Sequence, residues 1–314
     1  MKLIAGIMLL VLGVALVVSS FVSPSLAPLR APGGALIFLG LAGVGLSFVK
    51  PPNLDEPPAT SMSLAGRLTG IFFEPSTVFQ SLRVHPRWVA AVLVTGLAVG
   101  VYQFEFVQRV TPEVIAKTMS DKTIETAESF TQQPLPAEQK TLMREQQLAS
   151  FKSPAGRAAQ FLNAFAFTAI AALIFGGLYT LLTLAFGGKM NFWQGVAVAA
   201  HAGLPVALIS SLLNLIVLFI KPLDDISPVK GLNGLATTDL GSLLINPAAH
   251  PVLYTALGAV GIFGLYSLWL TATGLKNGGT KVSNGAAWGI ALTLFIIGAL
   301  LKIGLAALFP SFIS

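Results

Sequence analysis

Few side chains in this sequence of 314 residues are placed to do chemistry. The three histidines, His85, His201 and His250, are far apart, and none has a partner at the short spacing of a metal site. No cysteine is present, which excludes thiolate nucleophiles, thiolate metal sites and disulfides. The glycine-rich run at residues 40–45 has no lysine and no flanking strand. It reads as small residues for helix packing rather than a phosphate loop. Two sets of residues remain. Glu105, His201, Pro205, Asn214 and Lys302 are polar or helix-breaking residues within apolar stretches; His201, Pro205 and Asn214 share one long span, where a break at Pro205 could open a polar cavity for a small solute or lipid. Arg67, Arg83 and Arg87, with Phe72, Phe73, Pro75, Phe79 and Trp88, form a basic aromatic group that suits phosphate headgroups or a partner surface. No catalytic, cofactor or metal residue is assigned, and an enzyme is not expected.

The elements that must position these residues are membrane helices. Hydrophobic residues make up 54% of the chain and charged ones 10%, against ~25% charged in soluble domains. The mean hydropathy is +0.78. About 20 apolar residues at ~1.5 Å each cross a ~30 Å hydrocarbon core. Seven segments qualify: 3–22, 34–49, 88–104, 161–186, 193–220, 251–273 and 286–309. The first could also be a secretory signal, but its apolar run is long and Pro28 follows the small residues, so it reads as a retained anchor. The expected fold is therefore an all-α polytopic membrane bundle. Its parts are a two-span hairpin (1–50), a basic amphipathic segment (51–87) and a five-span domain (88–310) with a helical extracytoplasmic loop (107–160).

The net charge of +6 would suggest nucleic acid in a soluble protein, but here the basic residues occupy short loops. Lys2, Lys50, Arg67, Arg83, Arg87, Lys189, Lys276 and Lys281 fall on one side, with only Asp55, Glu56 and Glu74 as acids. The opposite side carries as many acids as bases. The positive-inside rule then places the N-terminus inside and the C-terminus outside. In the outer loop, Thr111 and Pro112 read as N-cap and first helical position, and a second helix reads from Pro136. These helices either lie on the bilayer and spans or form a solvated hairpin. Residues 221–250, rich in Gly, Pro and Asp, read as irregular loop.

Within the basic segment, Leu68, Ile71, Phe72, Phe73, Val78, Phe79 and Leu82 make an apolar face, broken by Pro75 and rimmed by the three arginines. Such a face is expected to lie in the headgroup layer of an anionic leaflet, with Trp88 anchoring the next span. Lys302 and Glu105 reach similar heights up their helices, so two outcomes are open: they pair, or Lys302 snorkels.

Pro75, Phe79, Leu82, Pro86 and Trp88 before the first of five spans resemble the bacterial branch of the Yip1 family. "AHAGLPVAL" (200–208) is similar to that family's aromatic-x-x-x-Pro in the middle span, with His201 at the usual tyrosine. "LYSLWLTATGLK" (265–276) and "KVSNGAAWGIAL" (281–292) resemble its closing pair of spans. The resemblance covers residues 61–310. The family's eukaryotic aspartate-leucine-tyrosine-glycine-proline motif is absent, so a trafficking-GTPase role is not carried over, and the two N-terminal spans are additional. What the resemblance implies is a non-enzymatic scaffold or adaptor organising membrane partners or lipids. A small-solute or lipid transporter is the alternative. Expected partners are anionic lipids and an unidentified membrane or cytoplasmic protein, with no nucleic acid.

Overall fold

In the computed structural model, residues 2–48, 62–247 and 249–309 are described. Lys50, Asp55, Glu56 and the rest of 50–61, part of the basic segment expected from sequence, lie outside them. The helices run in the order α1 (Lys2–Val22), α2 (Arg30–Ser47), α3 (Leu64–Phe73), α4 (Pro75–Val84), α5 (Val89–Val110), α6 (Pro112–Thr131) and α7 (Ala137–Lys152). There follow α8 (Pro154–Ala185), α9 (Phe192–Ile220), α10 (Pro228–Asn233), α11 (Leu240–Leu244), α12 (Pro251–Gly258), α13 (Ile262–Gly278) and α14 (Asn284–Leu308). The described residues hold no strand, only isolated bridges, so the all-helical membrane bundle stands.

Local chemistry sets the helix starts. Ser63, Ser153 and Ser283 each accept a hydrogen bond from a backbone N–H of the first turn. Asn191 and Gln194 cap α9 reciprocally, at 2.9 and 2.8 Å. At α6 the expectation is half met. Pro112 is the first helical residue, but Thr111 has φ 75° and its side chain makes no cap.

Among the described residues six helices are long and apolar enough to cross a membrane: α1, the stretch 25–47 containing α2, α5, α8, α9 and α14. The sixth expected span, 251–273, is instead two helices, α12 and α13. Between them Gly261 lies against Asp239, and the backbone at the break bonds elsewhere: Leu240 N–H to Val260 O, Ile262 N–H to Thr238 O. A Cβ on Gly261 would stand 2.9 Å from that of Asp239, so glycine permits the approach. The break expected at Pro205 is absent, because α9 continues through it without interruption. Val196, Ala197, Val198 and Leu204 are fully buried and hold that stretch from several sides.

The bundle has two distinct ends. At one, α3 and α4 meet the α8–α9 and α13–α14 turns: Gln194 Nε2 donates to Arg83 O at 2.7 Å, Gln80 to Asn277 at 3.3 Å, and Lys189 and Thr280 exchange backbone bonds. At the other, α6 buries Ile115, Ala116 and Ile124, whereas α7 buries none of its residues. The hairpin is thus docked through α6 and faces outward on α7. Three ion pairs join the two helices, Lys140–Glu128, Arg144–Asp121 and Lys152–Glu113, and each is partly or largely exposed. Such pairs contribute little stability.

Residues 221–250 are more ordered than their composition suggests, since they contain α10 and α11. Tyr102 donates to Gly231 O, and the buried Asn214 accepts from Leu235 N–H at 2.8 Å and Ala236 N–H at 2.7 Å. Gly234, at φ 142°, lets the chain turn against that amide. Asn214→Leu would strand two amides, at a cost of about 2 kcal/mol. Exchange of the 235 and 236 amides should then quicken about thirtyfold; unchanged exchange would show that the anchor contributes nothing.

Candidate functional site

The basic aromatic set gathers at the α3–α4 end, but not as a helix afloat in headgroups. Ile71, Val78, Phe79 and Leu82 are at most 1% exposed, packed with Leu270 and Leu275 of α13 and Val196–Val198 of α9. Pro75 is buried and Phe72 half-buried. Apart from Phe72, these residues have no free surface for lipid, which corrects their expected placement in the headgroup layer. Phe73 is 84% exposed, and Leu64 and Arg87 are also exposed. Trp88 stacks on Trp193 with centroids 6.2 Å apart and planes 10° apart, so it joins α5 to α9 as well as marking the start of a span.

Arg67 departs most from expectation. Read as a rim residue, it is 2% exposed, and its Nη1 has no hydrogen-bond partner. Arg67 and Ile71 are one helical turn apart and share the face that α3 turns inward. No carboxylate among the described residues pairs with it. Burial, and then the charge of Arg87, lower its pKa from the ordinary arginine value. A buried cation without a counter-charge is costly, and an anion at this end would relieve it. Guanidinium groups hold phosphate or carboxylate oxygens by paired hydrogen bonds.

The intramembrane polar set does not converge. His201 is 2% exposed, lies within electrostatic range of Arg67, and has Nδ1 3.0 Å from Ala197 O. Asn214 holds the 235–236 turn. Neither residue, nor Pro205, borders the large cavity of the molecule. That cavity, of about 920 Å³, is bounded instead by α5, α8, α9, α13 and α14, with Gly258 and Ala259 at the α12–α13 break, and sequence reasoning missed it. Lys302 is on its wall, whereas Glu105 is not. α5 and α14 are not packed against each other, and no ion pair joins Glu105 to Lys302. The bundle therefore does not close its third expected span on its seventh. No cluster of three His, Asp or Glu side chains suited to a metal occurs among the described residues.

The family model described as the Yip1 domain matches residues 69–305. That stretch begins within α3 and ends within α14, leaving α1 and α2 outside it. No curated protein and no solved structure matches the chain.

Proposed function

We propose that this chain, which belongs to the Yip1 family, is a non-enzymatic scaffold or adaptor that organises partners or anionic lipids at its α3–α4 end. The observation that carries this reading is Arg67, buried without a counter-charge beside the exposed Arg87 and Phe73. Exposed apolar and cationic groups there are mounted on a rigid element, because α4 is clamped to α9 and α13. A docking face needs that rigidity more than it needs reactive groups. The distribution of lysine and arginine supports placing this end in the cytoplasm of a bacterial cell.

The test is a photo-reactive amino acid at position 73 of the full-length protein in native membranes. A discrete protein or lipid adduct is expected, falling at least fivefold in Arg67→Gln with Arg87→Gln. No adduct, or one indifferent to both substitutions, would overturn the reading. Orientation is checked with Ser63→Cys and Ser129→Cys, which should react with impermeant maleimide from the cytoplasmic and outer faces respectively. Labelling of Ser129→Cys from the cytoplasm would place the α3–α4 end outside.

A second reading, passage of a small solute or lipid, is favoured by the cavity alone. Proteoliposome flux dependent on cavity residues and independent of Arg67 would support it over the scaffold.

A further inference from the structure

The 920 Å³ cavity has a layout that can be followed along its helices. Measured from the α3–α4 end at ~1.5 Å per residue, Thr95 on α5 stands ~9 Å up, and Thr271 on α13 ~10 Å. Tyr179 joins them, with its hydroxyl 3.5 Å from that of Thr271. These three residues make a polar floor. Above it the walls are mainly apolar, with Val99, Phe167, Phe175, Leu294 and Phe295, and Ser267 and Thr168 add hydroxyls between the floor and the far end. Near the far end Lys302 stands ~27 Å up α14, with Gln103 and Asn163 also bordering the space. No aspartate or glutamate lines the cavity at any height. Its lateral wall is incomplete, because Phe167 is 76% and Phe175 44% exposed on the side of α8 that faces lipid.

We propose that this cleft holds one membrane lipid with an anionic headgroup, its chain between α8 and α14 and its headgroup at Lys302. Three features select that occupant. The axial run from floor to lysine, ~18 Å, is more than half the ~30 Å hydrocarbon core, which matches a chain from one leaflet. A single cation with no opposing acid complements one negative charge, and a lysine on a span is stabilised by meeting a phosphate oxygen. The apolar stretch suits a chain and offers a free polar solute little. Thr95, 9% exposed with its hydroxyl unpartnered, belongs to the floor, where the chain ends. This site is separate from the α3–α4 face and does not depend on the scaffold reading.

Two glycines make the test clean. Gly203 and Gly298 line the cleft, and a Cβ on either would meet nothing within 4 Å. Gly203→Leu with Gly298→Leu therefore fills the space without a backbone clash. Full-length protein is taken from bicelles of equal phosphatidylglycerol and phosphatidylcholine and weighed by native mass spectrometry. Wild type is expected to retain one lipid, with phosphatidylglycerol preferred about fivefold, the factor for one cation near an anionic headgroup. The double leucine variant should lose at least nine-tenths of it with an unchanged melting curve. Lys302→Gln should retain a lipid without the preference, and Lys302→Arg should restore the preference. Thr95→Val should change nothing.

Retention unaffected by the leucines, or a preference unaffected by Lys302→Gln, would overturn the site. A mass of two chains that the leucines disrupt would make the cleft an interface between copies. Loss of the ligand in Thr95→Val would point to a polar solute held at the floor. Each of those two results also refutes the lipid. None of them bears on the adduct expected at position 73, so the two readings fail separately.

Discussion

Replacing Gly195 with valine should abolish most of the folded protein. The α8 and α9 backbones touch at this point. A Cβ on Gly195 would stand 2.5 Å from Thr180 Oγ1 and overlap the Gly176 carbonyl oxygen. Reciprocally, a Cβ on Gly176 would stand 2.6 Å from both N and Cα of Val196. Thr180 is itself engaged, donating to Gly176 O at 2.8 Å and to Asn191 O at 3.2 Å. Overpacking costs ~1–3 kcal/mol where side chains can shift, and more where the obstacle is backbone. The crossing lies beside Val196, Ala197 and Val198, all at 0% exposure, so α9 cannot retreat without opening the core that also holds Phe79 and Leu275. Small residues at membrane helix contacts serve this close approach. We expect Gly195→Val to lose at least nine-tenths of the monodisperse detergent-solubilised protein, and Gly195→Ala to lose less. Gly203→Ala on the same helix, with nothing within 4 Å, should match wild type. A wild-type melting curve for Gly195→Val would refute the crossing.

How much of this could be read in advance follows from what each signal encodes. Hydropathy reports burial in lipid directly, so six of the seven expected spans were legible, and the prolines at 112 and 136 made the α6–α7 hairpin legible too. The break in 251–273 was not, because it depends on Asp239 and Thr238 reaching Gly261 and its neighbours across sequence. Pro205 was a fair candidate for a break, since it lacks an N–H, but packing around α9 holds the helix through it. The arginines illustrate a finer limit. Amphipathic reading puts basic residues on the rim, yet Arg67 has the same helical phase as Ile71, and Ile71 faces the core. Phase was the better guide there, and composition the worse. Lys302 and Glu105 show the complementary limit. Counting residues along a helix gives height but no rotation about its axis, and rotation puts Lys302 on the cavity and Glu105 off it. The cavity needs five helices at once, and no single segment announces it.

The same reasoning about glycine gives a second large effect, in the part of the chain outside the matched 69–305. In the α1–α2 hairpin a Cβ on Gly13 would stand 2.6 Å from Ile37 N, and one on Gly40 2.5 Å from Leu10 N and 2.7 Å from Leu10 Cβ. Gly6 makes a similar approach to Val44 N, at 2.8 Å. Gly45, from the same glycine-rich run, meets nothing within 4 Å. The run is therefore a packing stripe with one face engaged, as small residues in paired membrane helices require. Gly40→Leu should force α1 from α2, whereas Gly45→Ala should be silent. The consequence for the rest of the molecule depends on whether the hairpin is a separate unit. All four tryptophans, Trp88, Trp193, Trp269 and Trp288, lie beyond it, so tryptophan fluorescence reports the part after the hairpin alone. The hairpin has its own reporter in Ser20, 2% exposed and contacted by Arg30 across the turn. In a chain without cysteine, Ser20→Cys supplies a single thiol that should resist maleimide. Adding Gly40→Leu should raise its labelling rate at least tenfold while the fluorescence melting curve stays in place. A melting curve that fell in step with the labelling would mean that α1 and α2 brace the core through α8, and that the seven expected spans fold as one cooperative unit.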